Sequence, residues 1–165
     1  MYFAFAASHV SKLCSAGFSA RDPELTIGFA RVLGDPPGHR CEDLFTDCDI
    51  VAGYGRKGIK SSDMLAVGDV IYMWVRNYIP GDSPDDYRHS RLGWSRDLGV
   101  HWEWADWHFS DTFACPAFVQ FGKSNEGARD GYVYMPSQAN DDAYEYSPDV
   151  VLARAPRERV ADRSA

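Results

Sequence analysis

The chain has 165 residues, of which 45% are hydrophobic and 14% aromatic, enough apolar material for one domain with its own core. Its formal net charge is −7 and it carries no basic patch, which argues against nucleic acid as a partner. No apolar run approaches the about 20 residues that a membrane-spanning helix needs, so no membrane span is predicted.

The N-terminus and the cysteines bear on compartment and cofactors. The first residues, MYFAFA, have no basic segment before them and are interpreted as a strand rather than as a signal peptide. The sequence contains no Cys-x-x-Cys pair, no paired histidines, no phosphate loop and no dinucleotide fingerprint, so neither a metal site nor a cofactor is predicted. Three pairings are open to four cysteines, and free thiols are the default prediction for Cys14, Cys41, Cys48 and Cys115.

Short runs rich in Tyr, Phe, Trp and Val, separated by Gly, Pro, Asp and Asn, predict an all-β fold. No long stretch keeps apolar residues at helical spacing. Between two of the runs, Gly68-Asp69 predicts a tight hairpin turn. In chain order the predicted strands are residues 1–6, 25–34, 61–68, 70–78, 90–97, 101–106, 116–122, 131–138 and 149–156.

An internal repeat runs through these strands. The words GFAR (28–31), GWSR (93–96) and VLAR (151–154) each follow an aromatic strand, and two of those aromatic strands closely follow an apolar strand. The repeat predicts a four-stranded antiparallel unit of ~50–65 residues, the size of a propeller blade. Salt bridges or stacking contacts at strand ends are predicted for the three arginines of the repeat, Arg31, Arg96 and Arg154.

The second repeat contains the pattern S-x-D-x-G-x-x-W, formed by Ser95, Asp97, Gly99 and Trp102. Asp97, and more weakly Ser95, can accept backbone N–H bonds in a tight turn, and Gly99 tolerates positive φ. The Trp102 ring can then fold back as an apolar anchor. The pattern resembles the Asp-box of sialidase-like β-propellers, where it lies on the rim, away from the substrate, and carries no catalysis.

The resemblance extends over roughly residues 25–160, and the segments VIYMWVRNY, RLGWSRDLGVHWEWADWHF and CPAFVQFGKSNEGARDGYVYM look like the uncharacterised bacterial family DUF4185. It implies a five-bladed or similar propeller of glycoside-hydrolase-like architecture, acting outside the cytoplasm. The strands supply only two to three blades, with parts at about residues 1–50, 60–110 and 115–160 of a single domain. Since propellers need about four blades to close, the chain is expected to be a fragment of a longer protein. An open β-sandwich-like domain is the alternative.

The candidate catalytic residues are carboxylates at the entry of predicted strands. Glycoside hydrolysis needs two carboxylates across the scissile bond, and Asp63 and Asp130 lie at strand entries of adjacent repeat units. Both also fit the ordinary role of aspartate in turns and at strand ends. A planar guanidinium matches a sugar carboxylate, which draws attention to Arg76 and Arg129, but a full arginine triad cannot be assigned.

The predicted function is that of a carbohydrate-active, glycoside-hydrolase-like propeller of unknown substrate. The alternatives are a propeller that binds glycans or proteins without catalysis and an inactive fragment. Trp102, Trp104 and Trp107 are interpreted as packing between sheets rather than as sugar-stacking rings. The predicted carbohydrate-binding residues, at strand entries and on the following strands and loops, are Lys60, Arg76, Asn77, Asn125, Arg129 and Tyr132.

Overall fold

The computed structural model describes residues 2–5, 28–35, 37–44, 59–78 and 89–164. Within these residues the regular elements are strands and one 3-10 turn, Lys123–Asn125, so the predicted all-β class is confirmed. No described helix is long and apolar enough to cross a membrane. The strands are β1 (Tyr2–Phe5), β2 (Gly28–Leu33), β3 (Arg40–Leu44), β4 (Lys60–Val67), β5 (Val70–Tyr78), β6 (His89–Ser95), β7 (Glu103–Trp104), β8 (Tyr132–Gln138) and β9 (Val150–Pro156).

The strands form three antiparallel sheets in chain order. The first sheet contains β1, β2 and β3, the second β4 to β7, and the third β8 and β9, each with sequential neighbours paired. The second sheet has the strand number and order that the repeat predicts. None of the three sheets closes on itself within the described ranges.

The second sheet is the central layer because its longest strand is apolar on both faces. Along β5, Ile71, Met73 and Val75 pack with Phe29 of the first sheet, while Tyr72 and Trp74 pack towards the third sheet. A strand with both faces buried is expected to read as a continuous apolar run, as IYMWV does. The turn between β4 and β5 contains Gly68, whose φ of 57° confirms the predicted hairpin turn.

Two apolar cores therefore hold the sheets together. In the first core, the Trp102 ring stacks on Phe29 with ring centroids 5.0 Å apart. In the second core, the buried Trp74 ring lies 5.7 Å from Phe113 and 6.5 Å from Phe118. Trp104 packs against the first core and Trp107 against the second, which confirms that these tryptophans pack between sheets.

The S-x-D-x-G-x-x-W turn, called the Asp-box here after the motif that it resembles, adopts the geometry that its residues predict. The Gly99 N–H donates to Ser95 Oγ at 2.8 Å, and the His101 N–H donates to Asp97 Oδ1 at 2.9 Å. Gly99 has a φ of 89°, and Trp102 donates its Nε1–H to the Gly99 carbonyl while its ring enters the first core. The Asp-box thus anchors the β6–β7 connection to the first core through the Trp102 ring.

The repeat arginines also behave as predicted. Arg31 forms a salt bridge with Glu42 at 2.8 Å, and Arg96 lies 3.4 Å from Glu103. The guanidinium of Arg154 lies 4.4 Å from the centre of the Tyr132 ring. Each arginine therefore binds a side chain of an adjacent strand.

The predicted strand 116–122 is wrong as a regular strand, although the segment runs antiparallel beside β8. Ala117 N–H donates to the Pro136 carbonyl and Val119 N–H to the Tyr134 carbonyl, both at 2.9 Å. Pro136 has no N–H to return the bond to Ala117, which interrupts the ladder. Residues 115–120 nevertheless form the edge of the third sheet that contacts β4 of the second sheet, and we call them the inner segment.

The inner segment and β4 run in the same direction. Cys115 contacts Ser62, Phe118 N–H donates to Asp63, and Gln120 Nε2 donates to the Met64 carbonyl, so contacts advance along both segments together. On the other side of the second sheet, β1 lies against β4. The first and third sheets thus both approach β4, the first strand of the second sheet. The first sheet does so through its first strand, β1, and the third sheet does so through the inner segment.

Three other predictions need correction. The predicted strand 101–106 shrinks to Glu103–Trp104, because the Asp-box takes the His101 N–H and turns Trp102 inward. The charged strand β3 was not predicted, and it owes its place to pairing with β2. Cys41 is disulfide-bonded, so the free-thiol prediction is wrong there, whereas Cys115 is free.

Candidate functional site

Two irregularities in strand pairing lie at the same end of the second sheet. The register of β4 shifts between Ser61 and Asp63, and that of β5 shifts between Val75 and Tyr78. Asn77 lies inside the second shift with a φ of 56°, a conformation that asparagine tolerates better than most residues. Bulges of this kind concentrate next to functional sites, where they redirect side chains. We call this region, with Lys60, Ser62, Arg76 and Asn77, the bulged end.

The bulge at Asn77 turns a polar side chain into the protein. Asn77 is fully buried, and its Nδ2 donates to the Tyr144 hydroxyl at 2.9 Å. Tyr144 belongs to the loop between β8 and β9, where its N–H donates to Asp142 Oδ1 at 2.8 Å. Gln138 holds the same loop by donating to the Asp142 carbonyl at 2.5 Å. The third sheet thus places a half-exposed phenol ring over the bulged end.

Arg76 is the principal charged group of the bulged end. Its Nη1 donates to the Cys115 sulfur at 3.3 Å, and its guanidinium lies 5.7 Å from the centre of the Tyr144 ring. Burial acts to lower the pKa of Arg76, but the Cys115 thiol and the Tyr144 hydroxyl raise it more, so its net pKa lies above the ordinary value. The guanidinium therefore keeps its charge although it is half-buried.

Lys60 lies directly opposite Arg76 in the β4–β5 pair. Side chains of such a pair leave the same face of the sheet with their Cβ atoms about 5 Å apart, so both basic residues belong to that face. The salt bridges formed among the described residues involve other groups, and none includes Arg76 or Lys60. Arg76 Nε is buried and has no hydrogen-bond partner among the residues that the structure describes.

Cys115 of the inner segment and Ser137 of β8 complete the bulged end, beside Ser62 of β4. The Cys115 thiol is half-buried and lies 3.9 Å from Ser62 Oγ. Its N–H donates to the Ser137 hydroxyl at 3.2 Å, and Ser137 is itself buried. The bulged end therefore combines a guanidinium, an ammonium, an amide, hydroxyls and an aromatic ring.

Asp63 lies on the same face of β4 as Lys60, but its oxygens bind backbone. One oxygen accepts the N–H of the next residue, Met64, at 2.7 Å, and the other accepts the Phe118 N–H at 2.8 Å. Gln120 Nε2 lies 3.5 Å from the first oxygen. Asp63 thus links β4 to the inner segment of the third sheet.

Asp130 lies at the other end of the third sheet, just before β8. Its oxygens accept the Tyr132 N–H at 3.0 Å and the Tyr134 hydroxyl at 2.6 Å. The hydroxyl of Tyr134 and the N–H of Tyr132 lower the pKa of Asp130, so this exposed carboxylate is ionised. Asp130 and Asp63 share no hydrogen-bond partner.

The predicted binding residues divide between these two ends. Lys60, Arg76 and Asn77 lie together at the bulged end. Asn125 is buried in the loop before β8, where its Oδ1 accepts the Phe121 N–H at 3.1 Å. Arg129 is exposed in the same loop, and Tyr132 lies under Arg154.

Tyr144 and Ser137 were not predicted as members of the site. The segment SQANDDAYEY offers one signal, because a polar loop rich in Asn and Asp that also carries tyrosines is a typical ligand-binding segment. Their approach to Arg76 depends on the stacking of the third sheet on the second, which local sequence does not encode.

Neither a comparison with models of protein families nor one with curated proteins finds a match to this chain. The resemblance to sialidase-like propellers therefore depends on the Asp-box and the strand repeat. In the described part of the chain, no group of three or more His, Cys, Asp or Glu side chains is placed to hold a metal ion.

Proposed function

We propose that the chain forms part of a sialidase-like β-propeller and binds a carbohydrate at the bulged end. Three features support the propeller. The sheets stack face to face with the second sheet in the middle, β4 and the inner segment run in the same direction, and the Asp-box staples the β6–β7 connection to the first core. All three are expected of neighbouring propeller blades.

The observation that carries the binding function is the convergence of Arg76, Asn77 and Tyr144 at one bulged end. Sugar sites need fixed hydrogen-bonding groups and an aromatic surface against which a ring can pack. Asn77 and Tyr144 are fixed by their mutual hydrogen bond, and Arg76 lies beside the Tyr144 ring. In propellers, ligands bind at one mouth of the channel, beside the innermost strands, and under this proposal β4 and the inner segment are those innermost strands.

Hydrolysis is the second candidate function, and Asp63 is its carrier because this carboxylate lies on the face that also bears Lys60 and Arg76. A glycosidase needs a second carboxylate about 5–10 Å away. Asp130 is engaged at the opposite end of the third sheet, with Tyr132 and Tyr134. Binding without hydrolysis is therefore the function that the geometry favours.

We also propose that the protein acts outside the cytoplasm. The disulfide at Cys41 supports this location, because disulfides persist in oxidising compartments and are rare in the cytosol.

Binding is tested on an array of neutral and acidic glycans, followed by calorimetry of the best ligand. Tyr144→Phe keeps the ring and removes the hydroxyl that binds Asn77, and we expect a loss of affinity of about threefold to tenfold, the value of one hydrogen bond. Tyr146→Phe is the matched control, since Tyr146 lies in the same loop with 89% of its surface exposed. A folded protein that binds no glycan would refute the proposal.

The hydrolysis candidate has a separate readout. Release of reducing sugar from the bound glycan, abolished in Asp63→Asn with binding retained, would establish an enzyme. Binding without any release would leave a lectin-like function.

A further inference from the structure

We propose that β9 is a dimerisation edge, through which two copies of this chain pair antiparallel and join their third sheets into one. The two copies would be related by a two-fold axis perpendicular to the joined sheet. This inference goes beyond the proposed carbohydrate function and does not depend on it.

The first argument is the direction of the β9 backbone groups. Just before β9, the Asp149 carbonyl accepts the Ala139 N–H at 3.1 Å, and just after it, the Arg157 N–H donates to the Gly131 carbonyl at 2.8 Å. Hydrogen bonding alternates along an antiparallel pair, so the odd-numbered residues of β9 bond to β8. The N–H and C=O groups of the even-numbered residues therefore point away from β8, to the outer edge of the sheet. These residues are Val150, Leu152 and Arg154.

The second argument is that the described residues supply no strand for this edge. In the second sheet, β7 covers the equivalent edge of β6, whereas β9 pairs with β8 alone within the described ranges. The residues after β9 turn back to the second core, where Val160 is buried and the Arg163 guanidinium lies 5.5 Å from the centre of the Phe109 ring. Edges that stay unpaired usually contain a bulge or a lysine, and β9 has neither.

The third argument is the apolar surface beside the edge. Val150 is 73% exposed and Leu152 is 65% exposed, the highest values among the large aliphatic side chains of the described residues. If two β9 strands pair with Val151 opposite its own copy, Val150 lies opposite Leu152 of the second copy, and this apolar pair occurs twice. The same register lets these two residues exchange N–H and C=O bonds, because both direct their backbone groups to the edge.

The fourth argument is the distribution of charge along β9. Exposed acidic residues, Glu145 and Asp149, precede the strand, while basic residues, Arg154 and Arg157, lie at its other end. None of these groups forms a salt bridge among the described residues. Antiparallel pairing brings the acidic end of one copy beside the basic end of the other, at both ends of the interface. The edge is therefore complementary to itself, which favours a second copy as its partner.

The size of the interface sets the expected affinity. One pair of seven-residue strands buries less surface than the standard protein interface of about 1,600 Å². We therefore expect a dissociation constant in the micromolar range. Sedimentation equilibrium of the unmodified chain, from low to high micromolar concentration, should show a monomer–dimer equilibrium. Added salt should weaken the dimer, because opposite charges lie at both ends of the paired strands.

Amide hydrogen exchange, followed residue by residue by nuclear magnetic resonance, tests the edge itself. The N–H groups of Val150, Leu152 and Arg154 should exchange at least about tenfold more slowly at concentrations where the dimer forms. The N–H groups of Val151 and Ala153 point to β8 and should be protected at every concentration. These two groups are therefore an internal control for the fold of the third sheet.

The variants place a charge on the edge. Leu152→Lys should raise the dissociation constant at least about tenfold, because lysine on an edge strand opposes pairing with another strand. Val150→Lys should have the same effect from the other member of the apolar pair. Leu98→Lys is the matched control, since Leu98 is 48% exposed in the Asp-box turn. Equal melting temperatures of the three variants at a concentration where all are monomeric would show that the fold is retained.

Each outcome decides the proposal. Protection of the even-numbered amides that rises with concentration, is lost in Leu152→Lys and is kept in Leu98→Lys would support it. A chain that stays monomeric, or a dimer that is undiminished in Leu152→Lys and Val150→Lys, would overturn it. Protection of the same amides in the monomer would also overturn it, because another segment of the same chain would then cover β9. Sugar binding is measured separately and decides none of these outcomes.

Discussion

Asp97 shows how one side chain can organise a whole connection. Its carboxylate accepts the Ser95 hydroxyl and the His101 N–H, and it also contacts the His101 ring. These bonds join residues within a segment of only seven, Ser95 to His101, so the sequence pattern is enough to predict them. The residues of the Asp-box were therefore predictable in both position and role.

The stability of the chain should depend on the ionisation of Asp97. The N–H and the ring of His101 lower the pKa of this carboxyl from 3.8 to about 2. The ionised form therefore stabilises the fold above pH 3.8, and this contribution disappears as the pH falls towards 2. Asp97→Asn should melt at a lower temperature than the unmodified chain at pH 6, with the difference shrinking between pH 4 and pH 2.

This prediction needs a comparison at each pH and a control variant. Asp162 also has a pKa lowered to about 2, so the comparison must use the difference between variant and parent at each pH. Asp106→Asn is the control, since this exposed carboxylate makes no hydrogen bond in the described chain. A melting difference that stays constant from pH 6 to pH 2 would contradict the role given to Asp97.

At the scale of the element, β6 and β7 pack closely where the Trp104 ring lies against Gly93. Gly93 pairs with Trp104, and a Cβ at Gly93 would lie 2.9 Å from the Trp104 ring. Gly93→Ala should lower the free energy of unfolding by about 1–3 kcal/mol through overpacking, as measured by urea denaturation. Gly131→Ala is the matched control, because its Cβ would meet nothing within 4 Å. Equal effects of the two substitutions would show that the Trp104 ring moves freely.

The sequence predicted most elements because the strands carry their own signal. The aromatic and β-branched runs of β4, β5, β6, β8 and β9 follow the strand rules, and their observed bounds lie within two residues of the predicted ones. The misses have non-local causes. β3 is charged and forms by pairing with β2, and the inner segment loses regular pairing because a proline lies across from Ala117.

The candidate site was predictable only in part for the same reason. Lys60, Arg76 and Asn77 were found because they lie at the ends of recognisable strands. Tyr144 reaches Arg76 and Asn77 only after the third sheet has packed on the second, and the same packing brings Ser137 to the bulged end. The bulge that turns Asn77 inward contains no glycine or proline, so the sequence gives no signal that predicts it.

At the scale of the whole molecule, the three stacked sheets should unfold together. The second sheet shares one core with each neighbour, with Phe29 in the first core and Phe118 in the second. Phe29→Ala and Phe118→Ala should each cost about 3–5 kcal/mol, and each should shift the same single transition. Far-ultraviolet circular dichroism and tryptophan fluorescence should report coincident midpoints.

The control for this prediction is Tyr146→Ala, a highly exposed position expected to change stability by no more than about 0.5 kcal/mol. Separate transitions, with Phe29→Ala moving one and Phe118→Ala the other, would show that the two cores are independent. The second sheet would then not act as a common layer.

Pro136 has a consequence for the chain before it folds. Residues 117–121, Ala-Phe-Val-Gln-Phe, begin in the inner segment and form an uncharged, largely apolar window of the composition that nucleates cross-β aggregation. Pro116 precedes that window, and Lys123 follows it closely. Pro136 lies opposite the window in β8 and has no N–H to donate, so β8 cannot form a complete ladder of hydrogen bonds with it. Pro136, which leaves the inner segment irregular, and Pro116 and Lys123, which flank the window, therefore have the positions expected of gatekeeper residues.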